Sequence, residues 1–217
     1  MTCLLRIVEL AEGKIVIDGF DIRSLGLSLL RRSIAVIPQD PVLFSGTVRT
    51  NLDPFEQYEN SVLEGVLARV GLMKPRTATN SSSSSGDGRD FSSETLGHLE
   101  SLDDIVAESG INYSVGQRQL LVIARALLCG ASIVILDEAT AAVDADTDAF
   151  IQKVLRKEFG NATTITVAHR LNTIMDSDYI LVMDDGRASE FDTPKALLGR
   201  GGMFRDLVQA AALDTKL

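Results

Sequence analysis

The sequence predicts an α/β fold built around a largely parallel sheet. Strand-length apolar runs alternate with helix-length periodic segments, and the run 133–136 is apolar at every position. The alternation is typical of parallel sheets, and a strand that is apolar on both faces is typical of their centre. With 217 residues and 45% hydrophobic content, the chain is long enough to bury such a sheet.

The first elements surround a tight turn. The pair Asp18-Gly19 lies between two short apolar runs and favours a β-hairpin. Ser24 is a candidate N-cap for a short helix that follows. The apolar run 34–37 predicts a buried strand that ends just before Gln39.

A longer helix is predicted next, with Asn60 as candidate N-cap and Gly71 as its stop. The segment 77–95 has almost no apolar side chains, so it cannot offset the entropy cost of becoming ordered. We expect a mobile, serine-rich insertion there, and a candidate region for phosphorylation.

The second half of the chain repeats the alternation of helix and strand. Ser114 and Gly130 bound a helix with an apolar face, as N-cap and stop. The further predicted elements are helices at 146–159, from Thr193-Pro194 onward and at 203–212, strands at 133–136, 164–167 and 179–183, and a turn at 184–186.

Composition narrows the function classes. The formal net charge of -9 gives no field that would gather nucleic acid or anionic lipid. Cys3 and Cys129 have neither CxxC spacing nor a secretion signal near them, so we expect reduced core thiols of an intracellular protein. No apolar run has the length of a membrane span. Residues 1–6 have the pattern of a helix interior, not of a signal peptide.

Polar side chains follow three of the predicted strands, namely Gln39, Asp137 with Glu138, and His169. Because the carboxyl ends of parallel strands line the ligand crevice, we expect these groups near one another. The adjacent carboxylates suit a Mg²⁺ ion held through water and an attacking water molecule. Alone, however, they can be a simple turn after a strand, and a single histidine without a metal-ligand partner is more often structural.

Ser114 and Gly116 open a helix, where free backbone N–H groups and the helix dipole favour an anion. A Ser-x-Gly start is also common as a plain helix cap. The order of all these segments along the chain favours functional roles over purely structural ones. Five segments, 37–47, 113–121, 133–140, 141–144 and 166–171, resemble in order the Q-loop, signature, Walker B, D-loop and switch-histidine motifs of the nucleotide-binding domain of ATP-binding cassette (ABC) transporters.

The resemblance covers the chain apart from the serine-rich insertion, with Val115 where many members have glycine. It implies a P-loop NTPase-type (RecA-like) sheet with an antiparallel edge and an inserted helical subdomain. The expected domains are 1–38 and 130–217 for the two parts of the RecA-like core, and 39–129 for the helical subdomain.

The resemblance also implies roles for individual residues. Glu138 and His169 would be catalytic, acting on the water and on the γ-phosphate. Asp137 and Gln39 would position Mg²⁺, and Gln39 would also sense the membrane domain. Residues that would contact ATP bound on an opposite, head-to-tail domain are Ser114, Val115, Gly116, Gln117 and Asp144.

The segments 114–119 and 51–54 look most like the second nucleotide-binding domain of the multidrug-resistance-associated (C) subfamily. The complete protein would then couple ATP hydrolysis to the export of organic anions, conjugates or drugs. Its implied partners are a second nucleotide-binding domain and transmembrane domains, at the cytoplasmic face of a membrane.

The sequence contains no G-x-x-x-x-G-K-[ST], the P-loop that cradles the phosphates. We therefore expect a piece that lacks the first core strand, is marginally folded, and does not hydrolyse ATP alone. One alternative is a non-hydrolytic fragment that docks on a complete domain through residues 114–117. Another is a soluble ABC ATPase of DNA repair or translation, against which the transporter-like segment 40–46 argues.

Overall fold

The computed structural model describes residues 1–74, 99–137, 143–167 and 174–214, with side chains described up to residue 210. The predicted insertion at 77–95 lies outside these ranges. The chain divides into two units, Met1–Ile165 and Thr166–Leu217. The three-part division into 1–38, 39–129 and 130–217 stays a prediction.

Strands and helices alternate as the sequence predicts. The elements in chain order are β1 (Val16–Ile17), β2 (Phe20–Asp21), α1 (Leu27–Arg32), β3 (Ile34–Ile37), β4 (Gly46–Thr47), α2 (Val48–Leu52), α3 (Asn60–Arg69), β5 (Ile105–Val106), α4 (Val115–Cys129), β6 (Ile133–Asp137), α5 (Ala145–Glu158), β7 (Thr163–Val167), β8 (Ile180–Asp184), β9 (Arg187–Asp192), α6 (Pro194–Arg200) and α7 (Met203–Asp214).

The parallel sheet has the strand order β3-β6-β7. β3 pairs with β6 in parallel, with Ile34 opposite Ile133 and Ile37 opposite Leu136. The first residue of β7, Thr163, donates its backbone N–H to Ser132 just before β6. All three strands therefore start at one edge of the sheet. Within the described residues, β6 is flanked on both sides, and β3 and β7 are the outer strands.

α4 is the central helix of the first unit. It packs against α2, α3, α5 and β3, and its buried side chains include Leu120, Leu121 and Ile123. These side chains fill the main core because both faces of the helix meet other elements. The helix ends where the sequence predicts, at Gly130, whose φ of 59° only glycine adopts at little cost.

Two expectations near the start of the chain are wrong. Residues 1–6 form turns, not a helix interior. Ser24 does not cap α1, because its hydroxyl donates to the Asp21 carbonyl and closes a 3₁₀ turn. The N-cap of α1 is Gly26, which offers no side-chain hydrogen bond. The Ser24 hydroxyl bonds a nearby backbone carbonyl instead of capping the helix, which explains why the N-cap of α1 lies two residues later.

Two further details differ from the sequence-based expectations. α3 begins one residue early, since Glu59 takes the N-cap position and Asn60 lies inside the helix. Both cysteines are free, but neither is a core thiol: Cys3 is half-buried and Cys129 is exposed at the end of α4. No helix within the described ranges combines the length and apolar character that a membrane span requires.

The second unit is a β-hairpin with two helices. β8 and β9 pair antiparallel across the predicted turn, where Asp185 and Gly186 have positive φ. The described residues of this unit form a hydrophobic cluster that includes Ile180, Val182, Leu197 and Phe204. Thr193 caps α6 with Pro194 at its first position, as predicted.

Candidate functional site

Gln39 and Asp137 lie at the same edge of the parallel sheet. Ile37 and Leu136 are paired in register, so Asp137 ends β6 at the level at which the chain leaves β3 toward Gln39. Asp137 is half-buried and Gln39 is exposed. The predicted proximity of these two groups therefore follows from the strand register.

The chemistry of these two groups fits a magnesium ion. Carboxylate and amide oxygens are the protein ligands that Mg²⁺ takes, usually one or two of them, with water and phosphate oxygens completing the shell. Within the part of the chain that the structure describes, no group of three His, Cys, Asp or Glu side chains forms a metal site.

The start of α4 carries a complete capping box. The Ser114 hydroxyl accepts the Gln117 backbone N–H at 3.2 Å, and the Gln117 side-chain oxygen accepts the Ser114 N–H at 2.9 Å. Ser114 is exposed, and a hydroxyl that accepts one bond still has a hydrogen to donate. We call residues Ser114–Gln117 the signature face. It combines a fixed hydroxyl with the N-terminus of a 15-residue helix, which favours an anion.

Gly116 is buried in the signature face against α5. A Cβ atom at this position would lie 2.5 Å from the Cγ2 atom of Thr147. This distance is shorter than carbon atoms tolerate, so only glycine allows α4 and α5 to approach this closely. Val115, the neighbour for which many family members have glycine, is half-buried.

Asp144 caps α5 and is exposed. Its carboxylate accepts the backbone N–H of Thr147 at 3.0 Å. The pKa of Asp144 lies below its usual value because it accepts that N–H and, second, a hydrogen bond from the Thr147 side chain. Thr147 therefore contacts both Gly116 and Asp144, two residues that the sequence assigns to one nucleotide site.

Gln119 joins the signature helix to the Q-loop segment. Its side chain is 1% exposed, and its Nε2 atom donates to the carbonyl oxygen of Pro38 at 3.2 Å. Because Pro38 precedes Gln39, this bond fixes the backbone from which Gln39 projects.

Arg125, farther along α4, binds the rest of the same segment. Its guanidinium donates to the carbonyl oxygens of Asn51 and Val42 at 2.5 and 2.6 Å and to the Asn51 side-chain oxygen at 2.6 Å. It also lies over the Phe44 ring, 5.7 Å from the centroid. Burial lowers the pKa of Arg125, and all three hydrogen-bond acceptors are neutral oxygens.

Asn51 completes this network. It is 3% exposed, its side-chain oxygen also accepts the Phe44 N–H, and its Nδ2 atom donates to the carbonyls of Phe44 and Thr47. The amide thereby ties the segment after Gln39 to α2, using all of its hydrogen-bonding groups.

The structure thus brings together two sets of predicted residues. Gln39 and Asp137 share a sheet edge, and the signature face reaches Asp144 through Thr147. The two predicted catalytic residues, Glu138 and His169, lie outside the described residues. The sequence predictions missed Thr147, Gln119 and Arg125. Only Gln119 carried a signal, because it lies three residues after Gly116 and four before Ile123, on the apolar face of α4.

Comparisons with known proteins agree with one another. Residues 1–141 match the family described as "ABC transporter". ABC transporter C family member 12 of Dictyostelium discoideum is 49% identical over 206 residues, which cover 94% of this chain and 14% of that protein. Bile pigment transporter 1 of Saccharomyces cerevisiae is 47% identical over 196 residues, covering 90% of this chain and 12% of that protein.

A solved structure shares the fold. It is titled "Structure of a bacterial Atm1-family ABC exporter with ATP bound", is 31% identical, and has a TM-score of 0.77 over 97% of this chain and 34% of that chain. This chain spans between 12% and 14% of the length of the two curated relatives above.

Proposed function

Because the chain belongs to the ABC transporter family, we propose that it forms part of a nucleotide-binding domain in an exporter of the C subfamily. The observation that carries the proposal is the built signature face. Its capping box, its buried glycine and its link to Asp144 form one rigid unit at an exposed helix N-terminus. Such a unit suits the γ-phosphate of ATP held on an opposite domain.

The signature face would act through fixed donors. Ser114 would donate its hydroxyl hydrogen to a phosphate oxygen, and the free N–H groups at the start of α4 would add to this attraction. Gly116 would keep the start of α4 close to α5, with Val115 and Gln117 beside it at the phosphate. Asp144 would bridge to the opposite domain. The charge of ATP is thus met by dipoles that need no rearrangement.

The residues at this edge of the sheet would bind Mg²⁺ and activate the attacking water. Asp137 and Gln39 would hold Mg²⁺, which supplies charge compensation for the phosphates when bound. Glu138 would accept the proton of the attacking water, and His169 would donate to the γ-phosphate. Gln39 would also report on the membrane domain, which is consistent with the exposed apolar side chains of Val42 and Phe44 that follow it.

The complete protein would export organic anions, conjugates or drugs across a membrane, with this domain on the cytoplasmic side. The name of the yeast relative, Bile pigment transporter 1, supports an organic-anion cargo. The implied partners are transmembrane domains and a second nucleotide-binding domain.

A second function is favoured by one observation: the signature face is exposed at Ser114 and fully built within this chain. The chain could act without hydrolysis by docking its signature face on a complete domain that holds ATP. Both functions need the same face, and they differ in whether the chain itself turns over ATP.

Two measurements separate these outcomes. The first is Mg²⁺-dependent ATP turnover by the purified chain, compared with Glu138→Gln: turnover that Glu138→Gln abolishes supports hydrolysis by this chain, and equal, negligible rates support the non-hydrolytic function. The second is association of the chain with a complete nucleotide-binding domain of a C-family relative loaded with Mg²⁺ and ATPγS. We expect association only with nucleotide, lost in Ser114→Arg and retained in the control Ser28→Arg on the exposed side of α1. Nucleotide-independent or Ser114-independent binding would refute the proposal.

A further inference from the structure

Thr147 is the residue on which two parts of the proposed site meet. It occupies the third position of α5 and is 8% exposed. Its Cγ2 atom fills the place that a side chain at Gly116 would need. Its backbone N–H donates to the Asp144 carboxylate at 3.0 Å, and its hydroxyl lies near enough to that carboxylate to help lower the pKa of Asp144.

The two branches of the threonine side chain therefore have separate contacts. The methyl group sets how closely the start of α4 can approach α5. The backbone N–H holds the Asp144 carboxylate, and the hydroxyl lies on the same side of the threonine as a second donor for it. Serine would keep the hydroxyl and lose the methyl group, and valine would keep a methyl group at nearly the same volume and lose the hydroxyl.

We propose that Thr147 is a positioning residue that holds the signature face and Asp144 at a fixed spacing, so that both meet the opposite domain together. This inference rests on the proposed function, because it assigns both groups to one nucleotide-dependent contact. It adds a role for a residue that touches neither nucleotide nor water.

Substitution at both contact residues tests the packing part. Gly116→Ala introduces a Cβ atom that collides with Cγ2 of Thr147, and we expect a lower urea midpoint. Gly116→Ala with Thr147→Ser removes the colliding methyl group and should recover most of the loss. Gly116→Ala with Thr147→Val keeps that methyl group and should not. Equal midpoints for the two double variants would overturn the contact.

Association with the ATPγS-loaded domain tests the positioning part. We expect Gly116→Ala to weaken association, Gly116→Ala/Thr147→Ser to restore it, and Gly116→Ala/Thr147→Val to leave it weak. Thr147→Val alone removes one hydrogen bond to a carboxylate and should weaken association about ten-fold. In an Asp144→Ala background, Thr147→Val should not weaken association any further.

The outcomes are distinguishable. If the wild-type chain does not associate in a nucleotide-dependent way, the proposed function fails, and the positioning role fails with it. If the wild-type chain associates but the double variants differ only in their urea midpoints, Thr147 is structural and the inference is wrong. Parallel recovery of midpoint and association in the serine double variant supports it.

Discussion

The Arg125 guanidinium donates to both the backbone carbonyl and the side-chain oxygen of Asn51, at 2.5 and 2.6 Å. A fork of parallel N–H groups is needed to reach both oxygens, which a lysine ammonium cannot present in the same way. With the third bond to Val42, this pair anchors the segment that follows Gln39 to the central helix.

Arg125→Met should destabilise the first unit. The variant keeps the apolar stem but removes three hydrogen bonds, two of them to the part-buried oxygens of Asn51, a loss of about 3 kcal/mol in the free energy of unfolding. Urea denaturation measures it. The control is Arg32→Met on the exposed side of α1, for which we expect a change below about 0.5 kcal/mol. Equal effects of the two substitutions would contradict the network.

Gln119→Met should loosen the backbone around Gln39. Methionine has a similar shape, but it cannot donate to the Pro38 carbonyl, so the expected loss of stability is about 1 kcal/mol. The expected local effect is faster hydrogen exchange at the backbone amides of Gln39 and Asp40. Gln57→Met at an exposed position should leave that exchange unchanged. Uniform acceleration across the whole chain would indicate a global effect instead.

Asp144→Asn should have a pH-dependent effect. The pKa of Asp144 is lower in the folded chain than in the unfolded chain, so the folded state binds its proton less readily. The stabilisation is therefore present above the unfolded pKa, at about pH 4, and is lost as the pH falls through the folded pKa. The free energies of unfolding of the wild type and Asp144→Asn in urea should differ at pH 7, and the difference should shrink as the pH falls below about 4.

The curves for the exposed Ser28→Ala and the wild type should coincide at every pH. If the free energies of unfolding of the wild type and Asp144→Asn differ by the same amount down to the lowest pH, the carboxylate charge is not the source of the stabilisation.

Two glycines should respond to alanine in opposite directions. Gly65 lies in α3 with open space around it, and Gly65→Ala should stabilise the chain by roughly 0.5–1 kcal/mol because it restricts the unfolded backbone. Gly110 has a φ of +67°, and a Cβ atom there would lie 2.6 Å from Leu43. Gly110→Ala should cost about 2 kcal/mol or more. Urea midpoints that move in the same direction would contradict this packing.

The sequence predicted the elements better than the contacts between them. Turns at Asp18-Gly19 and Asp185-Gly186 and the end of α4 at Gly130 were predictable, because these positions need backbone conformations that few residues adopt. Positions governed by competing local hydrogen bonds, such as Ser24, were not.

In the candidate site, too, the sequence predicts individual residues but not the contacts between them. Ser114, Gly116, Asp137 and Asp144 stand in recognisable motifs. Thr147 and Arg125 act through contacts with residues distant in sequence, Gly116 for one and Asn51 for the other. Such contacts depend on how α4 packs, and no periodicity in a single sequence reveals them.

α4 meets a different part of the proposed site at three points along its length: Asp144 through Thr147 near its start, Pro38 through Gln119, and the Asn51 network through Arg125. Turning the helix by one residue, about 100° about its axis, would break all three contacts at once. The helix therefore cannot adjust one end independently of the other. Any displacement of the segment after Gln39 should move the signature face with it, because α4 connects the two and moves as one body.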